Sequence, residues 1–548
     1  MRKPPKRPAP PLKSIALLFV AFLFTAASAG RAQAPELENR LPADTLFYLY
    51  WRGADSLGPQ NTDPLVGLWN DPDFAAVRDF VRQDVAAGLA RNPRLARVPL
   101  DQWEALLRNP LVVGARLGPA TVGLKQRPQG FLIVAAQGKT APNARAVLAA
   151  AGPGAAAIAR LTPADYLVLS RDPPTLDELA RRFVSPSPAA GDTLAALPAY
   201  RDARQELDGT PPLEFFLRVP DLSQFQAGTP QGLNFADFAR ALHLERIHTL
   251  CGGLDLRSPT AAARFSILGD TTPGSPLDFF GANSASFATL AAAPTGASVN
   301  ISKLDFGALV SDLLNAVSAS SNQDQAAQIK MLGGLITSSV IPVLGGEFAE
   351  IWIHPGLPPS GNPPLVAITI RQAEAANQLF QTTLAPFVKP EGQEGQIRYF
   401  RTNSRQSAAA PARPGKAGAG IESNFLALTP QLLLGGKDER IVRERAAVVV
   451  SGVPGGLTTD PRFRTARADL PPELSGLAYF DFERFNWSQW AEQMAAQTAK
   501  NPRSSSRAEE LSAWAERGGA AVYARYLHQL IIGSWKDGQG IHWRGYLH

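Results

Sequence analysis

Three groups of residues in this chain are of types that do chemistry. His243, Glu245, His248 and Cys251 crowd within nine positions and include the nitrogen and sulfur donors that zinc takes. Zinc hydrolases fix two histidines on one helix face, as in His-Glu-x-x-His, and that motif is absent. Here the histidines are five apart, which on a strand puts them on opposite sides and on a helix serves one metal poorly. The cluster reads as a helix end entering a core strand, with Cys251 as a small buried hydrophobe and no metal. His248 recurs as His528, each opening a His-x-Leu-x-x-Gly segment, and a role repeated in this way reads as a structural hydrogen bond. Glu350, Trp352 and His354 share one face of a predicted strand. Glu350 and His354 would stand about 13 Å apart along it, too far to act as a direct acid–base pair.

Other signatures fail on inspection. No Gly-x-Ser-x-Gly elbow occurs, so the common hydrolase nucleophile has no place to sit. Gly435-Gly-Lys437 lacks the earlier glycine and the following Ser/Thr of a phosphate loop. Gly415-Lys-Ala-Gly-Ala-Gly420 has its glycines in the wrong order for a dinucleotide turn. Five of the nine tryptophans, Trp487, Trp490, Trp514, Trp535 and Trp543, lie near the C-terminus. They read as core aromatics that pack helices at 487–516 against a final hairpin, with an aromatic groove for an apolar, glycan or peptide ligand as the alternative. No catalytic, cofactor or metal residue is assigned.

The elements that carry these residues come in two similar series. Leu194-AALPAYRDARQE-Leu207 aligns without a gap with Leu457-TTDPRFRTARAD-Leu470, with Tyr200 answering Phe463 and Glu206 answering Asp469. Each window is followed by a strand-like segment (Leu213-EFFLRV, Leu477-AYFDF), a Ser-Gln-aromatic step (Ser223–Phe225, Ser488–Trp490) and the His-x-Leu-x-x-Gly ending. Upstream, Phe131-LIVAAQGKTAPNARAVL matches Leu365-VAITIRQAEAANQLF, and Leu41-PADT matches Leu290-AAAPT. Common order points to two tandem copies of one unit, 36–269 and 285–548, joined by a linker at 270–284. Short apolar strand runs mixed with amphipathic helices, and the Lys536-Asp537-Gly538 hairpin signal, predict an α+β fold in which each copy is a mainly antiparallel sheet with packed helices. Asn70-Asp71-Pro72 is expected to open a helix with Phe74, Val77, Phe80, Val81 and Val85 inward. Thr402–Gly420 is polar, small and Pro/Gly-rich, and is expected to be a flexible insertion.

The opening LPADT before an aromatic strand, the Asp-Pro-x-Phe helix starts (Asp71–Phe74, Asp460–Phe463) and the paired series resemble a bacterial domain-of-unknown-function family. The resemblance covers most of the chain after the leader. It implies export and α+β repeats, and carries over no functional residue.

The leader makes the same point from residues. Arg2, Lys3, Lys6, Arg7 and Lys13 precede or flank the apolar run Ile15–Ala27, which is followed by Ala27-Ser28-Ala29. A run of about thirteen residues falls short of the roughly twenty that span a bilayer, and the pattern is that of a signal peptide at 1–29. Those five of the 54 basic residues leave with it and none of the 48 acidic ones does, so the formal charge falls from +6 to +1. No basic run remains for nucleic acid or an anionic membrane, and no later segment reads as a membrane span. The single cysteine excludes an internal disulfide. The expected protein is a periplasmic or secreted, non-catalytic binding or scaffold protein of the bacterial envelope, its partner an envelope protein or an apolar ligand. The alternative is an envelope hydrolase with a motif-free site.

Overall fold

The computed structural model describes residues 36–548 except 59–60, 91–96, 118–127, 137–140, 152–157, 185–191, 208, 220–242, 273, 276, 321–330, 332, 354–362, 403–423, 454–455 and 493–504. The leader at 1–29, His354 and all of the 402–420 insertion except Thr402 lie outside the described residues.

Eighteen strands are formed among the described residues. The first half holds β1 (Thr45–Trp51), β2 (Leu111–Leu117), β3 (Pro128–Ala135), β4 (Ala159–Leu161), β5 (Tyr166–Ser170), β6 (Leu213–Arg218), β7 (Ile247–Asp255) and β8 (Ala261–Gly269). The second holds β9 (Ser298–Lys303), β10 (Leu344–Trp352), β11 (Leu365–Ile370), β12 (Val388–Glu394), β13 (Ile397–Thr402), β14 (Phe425–Leu428), β15 (Leu432–Gly436), β16 (Gly476–Asp481), β17 (Gln529–Lys536) and β18 (Gly540–Leu547). Every pairing is antiparallel. The first half runs β4-β5-β3-β2-β1-β6-β7-β8 across the sheet. The second runs β14-β15-β11-β10-β9-β16-β17-β18, with the β12–β13 hairpin added outside β14. The fold is α+β.

Each half contributes a mainly antiparallel sheet, and the two sheets are continuous with each other. β8 and β18 pair along their whole length, from Leu268↔Gly540 to Ala261↔Leu547, and fuse the two sheets into one. Two central-type strands with free edges are a liability that pairing removes. Gly540 permits the approach, since a Cβ there would sit 2.1 Å from the Ile267 carbonyl oxygen. The outer edges are blunted instead: β4 has three residues, and β12 carries Pro390, charged side chains and a bulge between Pro390 and Gly392.

Helices begin where aspartate precedes proline. Asp63 accepts the N–H groups of Leu65 and Val66 to start Pro64–Asn70, Asp172 caps Pro173–Arg182, and Asp460 caps Pro461–Ala468. Asp71-Pro72 opens a short 3-10 turn that leads into Ala75–Ala90, with Phe74 buried and Val77, Phe80 and Val81 partly so. The helix at Pro64–Asn70 was not expected from the sequence. The two matched windows both form helices, Pro198–Glu206 and Pro461–Ala468, and their rings Tyr200 and Phe463 are buried in separate cores. A further core crosses between the halves, where Leu68, Trp69 and Phe74 meet Trp487, Trp514, Val522 and Tyr523.

Candidate functional site: a histidine on the seam

Antiparallel pairing places facing residues on one side of the sheet, so the β8–β18 rungs Ser266↔His542 and Arg264↔Arg544 share a face. The end of helix Pro198–Glu206 brings Glu206 to this face, and the β17–β18 turn brings Asp537. His542 Nδ1 lies 2.9 Å from Glu206 Oε2 and 3.0 Å from Ser266 Oγ. Its Nε2 lies 3.1 Å from Asp537 Oδ1, and the ring stacks on Trp535 at 5.3 Å. His542 is 2 % exposed and Ser266 is 5 % exposed.

Serine, histidine and carboxylate together suggest acyl-transfer chemistry, and the geometry argues against it. A serine hydrolase needs one imidazole nitrogen to take the hydroxyl proton while a carboxylate holds the other. Here a carboxylate oxygen approaches each nitrogen, which favours the protonated ring, although Nε2 is not aligned for a hydrogen bond to Asp537. An imidazolium has no lone pair for the serine proton. Burial opposes the charge on His542, but Glu206 and Asp537 outweigh it and hold the ring above its ordinary titration range. Burial likewise pushes Asp537 up, yet the Gln539 and Gly540 N–H groups and the His542 ring bring its carboxyl below the usual value.

A second ionisable cluster lies beneath helix Pro198–Glu206. Glu214 in β6 is fully buried and accepts a hydrogen bond from Tyr48 Oη at 2.7 Å and from Arg52 Nη2 at 3.1 Å. Arg204 Nη1 approaches the same carboxylate at 3.4 Å, and the Tyr48 and Tyr200 hydroxyls meet at 3.1 Å. Burial raises both tyrosines, and it raises Glu38, which faces the cluster. The rung Tyr50↔Glu214 of β1 and β6 corresponds in the second half to Ile301↔Leu477 of β9 and β16. That half therefore puts leucine and phenylalanine where Glu214 and Tyr200 stand, while Arg467, at the place of Arg204, turns to the Pro471 and Pro472 carbonyls. The charges are not what this strand order requires.

The sequence candidates fall elsewhere. His243 adopts a left-handed conformation ahead of a 3-10 turn, with Nδ1 3.4 Å from Glu245 Oε1, and Cys251 is buried in β7 with its thiol pushed up to about 12 by burial. Among the described residues no group of His, Cys, Asp and Glu is arranged to hold a metal. His248 and His528 are both exposed. What they share is the backbone: His248 O accepts from Val219 N–H, and His528 O from Phe482 N–H. The His528 ring also stands 3.5 Å from Glu483. Glu350 accepts from Asn300 Nδ2 at 3.3 Å, and Trp352 packs on Phe480. The C-terminal tryptophans divide. Trp487, Trp490 and Trp514 surround Tyr523 and belong to the core shared with the first half, so their main partners lie outside the final hairpin. Trp543 lies on the other face of the seam, in a half-buried aromatic strip with Phe215, Phe265 and Phe280. No helix among the described residues is long and apolar enough to cross a membrane.

Ser266, His542 and Asp537 were missed, as were Tyr48 and Glu214. Glu206 was noticed only as the counterpart of Asp469. No spacing rule links positions that meet only through tertiary structure. Comparison with protein-family models, curated proteins and solved structures finds no match to this chain.

Proposed function

We propose that the chain is an exported, non-catalytic binding or scaffold protein of the bacterial envelope, periplasmic or secreted, built from two copies of one unit. The observation that carries the non-catalytic reading is the approach of a carboxylate to both His542 nitrogens, which favours the protonated ring and so opposes a general-base role for it beside Ser266. The two-copy reading rests on matching strand order and on helices at the matched windows. The leader and the resemblance to an exported family support the compartment. The binding surface in this reading is the half-buried aromatic strip Phe215–Phe265–Trp543–Phe280, suited to an apolar ligand or an apolar protein segment.

Two measurements test these points separately. Mass spectrometry of the exported protein should find a mature chain beginning near Gly30; an intact Met1 in a membrane fraction refutes export. A serine-reactive fluorophosphonate should leave Ser266 unlabelled. Labelling there, abolished in Ser266→Ala, would favour the hydrolase reading, for which the Ser266–His542 contact is the specific ground.

A further inference from the structure

We propose that His542 is a proton-operated clasp between the two halves: the protonated ring ties Glu206 of the first half to Asp537 of the second, and its deprotonation loosens the β8–β18 seam. The parts come from different elements. Glu206 ends helix Pro198–Glu206, Ser266 faces the ring from β8, and Trp535 covers it from β17. Asp537 belongs to the turn before β18 and is already committed to the Gln539 and Gly540 N–H groups. A neutral ring can donate from only one nitrogen, so one of the two carboxylates, Glu206 at 22 % or Asp537 at 49 % side-chain exposure, would lose its partner. The carboxylate released turns to water, and the tie between the two halves is lost with it.

Other charged groups facing this place do not replace the ring. Arg264 and Arg544 sit one rung along on the same face, and Arg544 lies over the Trp535 indole at 5.7 Å. Lys536 turns to Asp278 at 3.4 Å. Behind Ser266, the Cys251 thiol is buried and stays neutral near neutral pH. Among the described residues Glu206 and Asp537 are the carboxylates that reach the two nitrogens of His542.

The sign follows from the direction in which the ring is held. A histidine whose folded value lies above its free value of about 6.5 gives its full contribution below that pH and loses it as pH rises through the folded value. Loosening therefore belongs to the alkaline side. If opening returns the ring to its free value, seam protection falls roughly tenfold for each unit by which the folded value exceeds it.

The test follows the His542 ring by NMR and amide hydrogen exchange along β8 and β18 from pH 6 to 9, with exchange corrected for its intrinsic pH dependence. The expected result is a His542 midpoint above the ordinary value, with seam protection falling through the same range and β1, β6 and β16 unaffected. In His542→Gln the pH dependence should vanish, while in His528→Gln, which alters an exposed ring, it should persist. Should His542→Gln fail to fold, Glu206→Gln and Asp537→Asn provide the check, each lowering the His542 midpoint and shifting the loosening to lower pH. A wild-type midpoint at or below the ordinary value, or seam protection independent of pH, overturns the proposal. So does a pH profile unchanged in His542→Gln or, if that variant fails to fold, in the two carboxylate variants.

Discussion

Glu214→Gln tests the reasoning about the buried cluster most directly. The substitution keeps the side-chain shape and removes the charge, and the two arginines beside it have little access to water. Side-chain exposure is 0 % for Glu214, 10 % for Arg52 and 23 % for Arg204, so solvent offers little rescue. Breaking a buried pair by removing one partner typically costs about 3–5 kcal/mol, because the other charge stays behind uncompensated. The unfolding entropy is about 2.1 cal/mol/K per residue, so a 4 kcal/mol loss lowers the midpoint by about 4 °C if some 500 residues unfold together. If the first half melts alone, the fall is about twice that. Urea and thermal denaturation monitored by circular dichroism give both numbers. Replacing Arg52 and Glu214 by apolar residues, Arg52→Met with Glu214→Leu, should recover part of the loss, since Arg204 still lacks its carboxylate. A loss below about 1 kcal/mol for Glu214→Gln would mean that the cluster is hydrated, and the argument from burial would fall.

Tyr200→Ala and Phe463→Ala should each cost about 3–5 kcal/mol in urea denaturation, since both rings are buried in their cores; a loss under about 1 kcal/mol at either would contradict that packing. Gly540→Ala should destabilise by at least about 1–3 kcal/mol, because its Cβ would meet the Ile267 carbonyl and part the seam; a neutral thermal scan would show that β8 and β18 do not pair so closely. Trp514→Phe should cost about 1 kcal/mol beyond its lost packing, since the indole N–H donates to Asp73 O at 2.8 Å across the halves, and hydrogen exchange near Pro64–Asn70 should rise with it.

Much of the local structure was legible. β5 and β14 fall where their apolar runs do, Tyr166–Ser170 and Phe425–Leu428. The Asp-Pro starts work as caps because an aspartate oxygen accepts the N–H groups that a helix start leaves open, while proline has none to lose. These are short-range effects, fixed by neighbours within a turn or a pleat, and the sequence carries them in full.

The site was not legible for the opposite reason. Glu206, Ser266, Asp537 and His542 meet only because β8 finds β18. Tyr48, Arg52, Tyr200, Arg204 and Glu214 meet only because β1 pairs with β6 under one helix. Nothing in the alternation of β8 says which edge it will join, since backbone hydrogen bonds are the same for any partner strand. Periodicity determined the elements and the α+β class. Tertiary structure alone decided that the two halves share one sheet, and which charges that sheet buries together, because pairing and burial depend on contacts hundreds of residues apart.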